Sequence, residues 1–312
     1  MALFNFHNKP HLNPAEILFL DYLDGCPTDI DCSHLPKYWK YDYNLRNPER
    51  VINMLKSDGY LKVSDYKFNM DKCKIDELKN ILKKYGLKVS GKKSDLIDRI
   101  IQNIPEEDCI KLFNHSYYQH TEKAHSLLSK NNHIIYAHKM RNYLDISIFE
   151  ADNMKKAMPE ASVHDIFLSV LNNRLARYSK NKDWGLYRNT IHAMSLIYHD
   201  LSDYNKELQL LSEVCYRDLS GLGNNGTIDE LDITALAPGI INSIIKAKSC
   251  LSLDDSRFKE FYLSAVSNIN LSFHYFTPEQ TFDILLAEMY GDEKTIKDIY
   301  KKAKKRPKRR WE

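Results

Sequence analysis

The chain has 312 residues, 43% of them hydrophobic and 28% charged, with a formal net charge of +3. That balance belongs to folded globular proteins rather than disordered ones, and no apolar run nears the roughly 20 residues a membrane span requires. Three hundred residues exceed one ordinary core, so two or three structural units are expected.

Taken in chain order, residues 1–70 read as a small α+β domain. Its first ten residues lack the apolar stretch of a secretory signal, and the location expected is cytoplasmic, with thiols kept reduced. The run Asn13-Pro14-Ala15-Glu16 has the form of a helix start: Asn as cap, Pro at the first position, Glu in the first turn. Ile17, Leu20 and Leu23 follow at helical spacing. Cys26 and Cys32, with His34 nearby and His7 and His11 upstream, lack the paired spacing of a zinc site and read as loop residues. A second start, Asn47-Pro48-Glu49-Arg50, precedes Val51, Ile52 and Leu55, with Gly59 as its stop. Tyr60–Val63 and Tyr66–Phe68 then predict two short strands joined at Ser64-Asp65. Helix, helix and hairpin in that order are similar to a winged-helix domain.

Residues 71–104 predict two short helices with a rigid link. Ile75, Leu78, Leu82 and Tyr85 form one apolar stripe, and Gly86 ends that helix. Leu87 and Val89 are placed to fold into a small core. Ser90 or Gly91 caps a second helix, Lys92 to Gln102, with Leu96, Ile97 and Ile100 inward. So small a unit leans on its neighbours for stability. Nine positive and four negative residues give 72–104 a charge of +5.

The order Gly86-Leu87-x-x-x-Gly91-x-Lys93-x-x-Leu96-x-x-Arg99-Ile100 resembles the signature of the SAP domain. It departs at Lys88, where that family often has proline. The resemblance implies a non-enzymatic module that binds double-stranded DNA, often AT-rich, with low sequence specificity. The residues suit that chemistry. A helix N-terminus and Gly91 present backbone N–H groups to a phosphate, Lys88 and Ser90 flank them, and Lys92 and Lys93 add charge. Arg99 has two readings, a DNA contact or a brace paired with Asp95 or Asp98. The same stretch satisfies G-x-x-x-x-G-K at Gly86–Lys92, but Lys93 stands where a nucleotide-binding loop needs Ser or Thr, and a helix rather than a strand precedes it.

Residues 105–300 are helical in pattern, as in Asp165–Asn172 and Ile240–Ile245. Between Trp184 and Tyr216 a break at Leu201-Ser-Asp203 predicts a helical hairpin. Its junction resembles a tetratricopeptide-type unit, with Ala193 and Tyr204 at matching places and Leu208 where that family has alanine. Gly221–Gly226 is the clearest loop. Residues 301–312 form a basic tail, with eight positive residues and no negative ones over 301–310. Lys304, Lys305, Arg306, Lys308, Arg309 and Arg310 are expected to act as a DNA-contacting arm. With +5 on 72–104 and +8 on 301–310, the remainder carries −10.

No H-e-x-x-H, G-x-S-x-G, C-x-x-C or dinucleotide glycine run is present, and His115, His120 and His125, each rotated about 140° from the last on a helix, share no metal face. No catalytic residue, cofactor or metal is expected. The predicted fold is mainly α: the N-terminal domain, the two-helix module and a helical-hairpin array. The predicted function is to tether that array, and a protein partner on it, to duplex DNA. Two rivals stand beside it: a helical-repeat scaffold without DNA binding, and a DNA-processing, nuclease-type enzyme targeted by the module. Abundant Lys, Asn, Ile and Tyr resemble proteins of low-GC bacteria and their phages, where such a protein would sit on the nucleoid.

Overall fold

Asn13 caps the first helix by accepting from the Glu16 N–H, while the Glu16 carboxylate accepts from the Asn13 N–H, closing a reciprocal box around α1 (Pro14–Leu23). In this computed structural model, which describes residues 12–305, the chain divides into two compact units. One runs to Lys139 and takes back Ser147–Asp152; the other holds Met140–Ile146 and the chain from Asn153 on. The described residues are mainly α-helical, with a single two-stranded sheet.

In the first unit, α1 buries Leu18, Phe19, Leu20 and Leu23. The short α2 (Tyr38–Tyr41) sets Trp39 edge-on against Phe19, with ring centroids 5.0 Å apart. Asn47 caps α3 (Pro48–Ser57), and the chain enters β1 (Leu61–Val63). Here the expected hairpin gives way. Asp65 accepts from the Phe68 N–H and starts α4 (Tyr66–Lys72) where a second strand was read. An acidic cap two residues after a strand outweighs the strand propensity of Tyr66 and Phe68. The winged-helix-like order rested on that hairpin. β1 pairs instead, antiparallel, with β2 (Tyr118–His120), matching Leu61 to His120 and Val63 to Tyr118.

Between the two strands lie α4, α5 (Ile75–Lys84), α6 (Lys93–Asn103) and α7 (Glu106–Leu112). Their common core holds Leu78, Leu82, Leu96 and Ile100, all without exposed surface, together with Met70, Ile104, Cys109 and Phe113. The two-helix segment therefore leans on α4 at one end and α7 at the other. The polar knot below it is local to Ser64 and Asn69. The Asn69 amide donates to the carbonyls of Phe113 (2.7 Å) and His115 (2.6 Å), and the Ser64 hydroxyl donates to the Asn69 amide oxygen. The segment so enters and leaves at one place.

The chain then forms α8 (Glu122–Lys130), α9 (Asn132–Leu144) and α10 (Ile148–Ala157). The helical spacing assumed for the histidines fails here. His120 lies on β2, where its Nε2 bonds the Leu20 carbonyl at 2.8 Å. A turn brings the His125 ring to 5.4 Å from it.

The second unit is a succession of helices: α11 (Val163–Asn181), α12 (Trp184–Asp200), α13 (Tyr204–Asp218), α14 (Pro238–Cys250), α15 (Asp255–Val266), α16 (Pro278–Tyr290) and α17 (Glu293–Tyr300). The expected hairpin is present as α12 and α13. His199 bonds Glu207 near its tip, and Arg188 bonds Asp218 near its base, which makes the two helices antiparallel. Leu208, Leu211, Val214, Cys215, Phe258, Tyr262 and Phe282 centre its core.

Candidate nucleic-acid interface

The link between α5 and α6 is built from its two glycines. Gly86 takes φ +68°, and the Gly86 N–H donates to the Lys83 carbonyl (3.1 Å) while the Leu87 N–H reaches back to the Leu82 carbonyl (2.8 Å). That paired closure is the Schellman stop, with Leu87 packed on the core that holds Leu82. Gly91 takes φ +132°, and a Cβ there would lie 2.9 Å from the Asp95 carboxylate oxygen. Glycine is required at this position on both counts.

α6 begins one residue later than expected. Lys92 is its cap residue, and neither Ser90 nor Gly91 caps it. The Lys92 N–H donates to the Asp95 carboxylate at 2.9 Å. A negative group therefore already covers the helix N-terminus, so its backbone N–H groups are a poorer phosphate seat than the sequence suggested. The cationic side chains around it remain. Lys83, Lys84, Lys88 and Lys92 are exposed, as are Ser90 and Gly91. Lys93 is half-buried, and its ammonium donates to the Asp71 carbonyl at the end of α4 (2.5 Å). Arg99 is half-buried as well. Its partners are neither Asp95 nor Asp98: one guanidinium nitrogen, Nη1, donates to the carbonyls of Lys88 (2.6 Å) and Ser90 (3.1 Å).

Among the described residues, no lysine or arginine of 72–104 lies within ion-pair distance of a carboxylate. The ammonium and guanidinium groups of the module therefore form no ion pair, although the Asp95 carboxylate stands at the start of α6 beside Lys92. The apolar stripe is narrower than expected: Ile75, Tyr85 and Val89 are 44%, 37% and 39% exposed. Ile75 opens its helix and Tyr85 and Val89 lie at the link, where the core's curvature turns away from them. Burial pushes the Cys73 thiol up from its ordinary range, with the Glu77 carboxylate adding to the effect and Lys93 opposing it.

Other expected features fall as follows. Lys304 donates its backbone N–H to the Tyr275 carbonyl and sets its ammonium 5.4 Å from the Phe273 ring centre, while Lys305 is exposed. Arg306, Lys308, Arg309 and Arg310 lie outside the described residues, as do His7 and His11. The Cys26 thiol bonds the Tyr22 carbonyl, His34 bonds Asp31, and burial raises the Cys26 and Cys32 thiols. Among the described residues, no three His, Cys, Asp or Glu side chains gather as metal ligands. The G-x-x-x-x-G-K match at Gly86–Lys92 is the α5–α6 link, preceded by a helix.

Sequence reasoning missed the carbonyl partners of Lys93 and Arg99 and the capping role of Asp95. Only the last had a readable signal, an acidic residue three positions after the cap residue.

Residues 69–105 match the family model described as the SAP domain. A SAP domain points to nucleic-acid binding in general. No curated protein matches the chain. Among the described residues, no helix is long and apolar enough to cross a membrane.

Proposed function

We propose that, with a SAP domain as its premise, the protein binds double-stranded DNA without enzymatic chemistry and tethers its helical second unit to it. The observation that supports this reading is the free cationic side chains of the link: exposed Lys88 and Lys92 beside Ser90 and Gly91, with neither ammonium in an ion pair. Phosphate is the anion a duplex offers at every step, and lysine side chains at a glycine-opened backbone suit it without reading base identity. An AT-rich preference and low sequence specificity are part of the proposal, as is a supporting contact from Lys304, Lys305 and the basic residues after them. On the helical unit, the tetratricopeptide-like hairpin α12–α13 is the place proposed for a protein partner, on a bacterial nucleoid in the cytoplasm.

The test is fluorescence anisotropy of a labelled AT-rich duplex over a range of salt, with the wild type and Lys88→Glu/Lys92→Glu. Lys93 is left intact because it ties α6 to α4. Each lost phosphate contact lowers the slope of log affinity against log salt by about 0.9, so the double variant should lose about 1.8. Absence of binding by the wild type at low salt would overturn the reading.

A further inference from the structure

We propose that Arg99 is a positioning residue: it holds the α5–α6 link in the shape that presents Lys88, Ser90 and Lys92, and it is not itself a phosphate ligand. This inference rests on the DNA-binding reading of that face. Its starting point is where the guanidinium points. Nη1 reaches back eleven and nine residues to the carbonyls of Lys88 and Ser90, which are the backbone of the link itself. The two carbonyls belong to alternate residues. Turning both toward α6 leaves the side chains of Lys88, Val89 and Ser90 on the outside, and all three are exposed.

The link needs such a clamp. It is bounded by Gly86 at φ +68° and Gly91 at φ +132°, two positions where the chain lacks the Cβ that normally narrows backbone freedom. Val89 does not anchor it, being turned to solvent; Leu87 alone reaches the core. Two charge-assisted hydrogen bonds from one rigid, planar group replace the missing restraint. Lysine at the same position would keep the charge, but a rotating ammonium on a flexible stem would not hold two donors on these carbonyls as the two in-plane N–H groups of the single Nη1 do. The departure from the SAP pattern at Lys88 sharpens the point. Where the family often has proline, a ring fixes φ; here a tether from α6 does that work.

The test separates positioning from contact by comparing the salt slope with affinity. Full-length wild type, Lys92→Ala, Arg99→Lys and Arg99→Gln are titrated against the same duplex at several salt concentrations. Arg99→Lys and Arg99→Gln should each weaken binding about tenfold with the salt slope of the wild type, whereas Lys92→Ala should lower the slope by about 0.9. Wild-type affinity in Arg99→Lys would show that the guanidinium is not needed to hold the link, and a slope lowered by about 0.9 in Arg99→Gln would make Arg99 a phosphate ligand; either overturns the proposal. Amide hydrogen exchange gives a reading independent of DNA. In Arg99→Lys the amides of Leu87 and Lys92, the hydrogen-bonded donors at the two ends of the link, should exchange at least tenfold faster, while those of Leu82, Leu96 and Ile100 keep their protection. Unchanged link exchange, or loss of protection throughout the core, overturns the clamp. If the wild type fails to bind duplex at all, the DNA reading falls, and the exchange comparison still decides whether Arg99 holds the link.

Discussion

Cations in the two-helix module and three cations of the helical second unit, Arg188, Arg217 and Lys248, are held in opposite ways. In the module, Lys93 and Arg99 bond backbone carbonyls, and no cation of 72–104 meets a carboxylate among the described residues. In the second unit, Arg188 grips Asp218 through two nitrogens at 2.6 Å, Arg217 holds Glu213 at 2.7 Å, and Lys248 holds Asp255 at 2.7 Å. Arg188, Arg217 and Asp218 line a polar cavity of about 520 Å³ whose charges are largely answered within the protein. A carbonyl orients a cation without cancelling it; a carboxylate does both. The difference teaches which surface has positive charge left to offer a polyanion, something a count of lysines and arginines does not reveal.

The comparison can be broken first on its neutralised side. Arg188→Met leaves the Asp218 carboxylate nearly buried without its cation, and should cost about 3 kcal/mol in urea denaturation. Burial already raises the Asp218 carboxyl above its ordinary range despite Arg188, and without the arginine it rises further. A carboxyl with a higher pKa folded than unfolded draws stability away as pH climbs through that interval. The variant's urea midpoint should therefore fall between pH 4 and pH 7 more steeply than that of the wild type. An equal pH dependence in both would mean that Asp218 does not depend on Arg188.

On the module side the effects are smaller. Gly91→Ala places a Cβ 2.9 Å from the Asp95 carboxylate at a φ that L residues avoid, and should destabilise the module by about 2 kcal/mol. Hydrogen exchange of the α5 and α6 amides is the measurement, and protection equal to wild type would count against the strained geometry. Smallest is Asp95→Asn. Asparagine keeps an acceptor for the Lys92 N–H but removes the negative charge beside the exposed lysines. DNA affinity should rise about threefold at low salt and return to the wild-type value at high salt. A gain that persists at high salt would point to a change of shape, not of charge.

What the sequence disclosed, and what it hid, follows the range of the interactions. The caps at Asn13 and Asn47, the stop at Gly86 and the hairpin at Leu201–Asp203 depend on residues a few positions apart, and each was legible. The strand pairing of Leu61–Val63 was not, because its partner lies more than fifty residues on and Tyr66–Phe68 offered a nearer imitation. The histidines misled for the same reason: even spacing implies a helix face only if one helix contains them all. In the module, Gly86, Gly91 and the lysines were all identified, yet their arrangement was not. Every residue carries a carbonyl, so nothing in the sequence marks Lys88, Ser90 or Asp71 as the oxygens that Arg99 and Lys93 choose.

The knot at Ser64 and Asn69 has a consequence for how such a chain can be edited. The Ser64 N–H bonds the Tyr117 carbonyl at 2.8 Å, and the Tyr117 N–H bonds the Ser64 hydroxyl at 3.0 Å. The two ends of the four-helix segment meet at one seam whose lips already touch. Cutting there and rejoining Ser64 to Tyr117 would connect the already paired β1 and β2 by a short turn. The segment that carries the SAP match can thus be removed, or exchanged for another of different length, at one splice point.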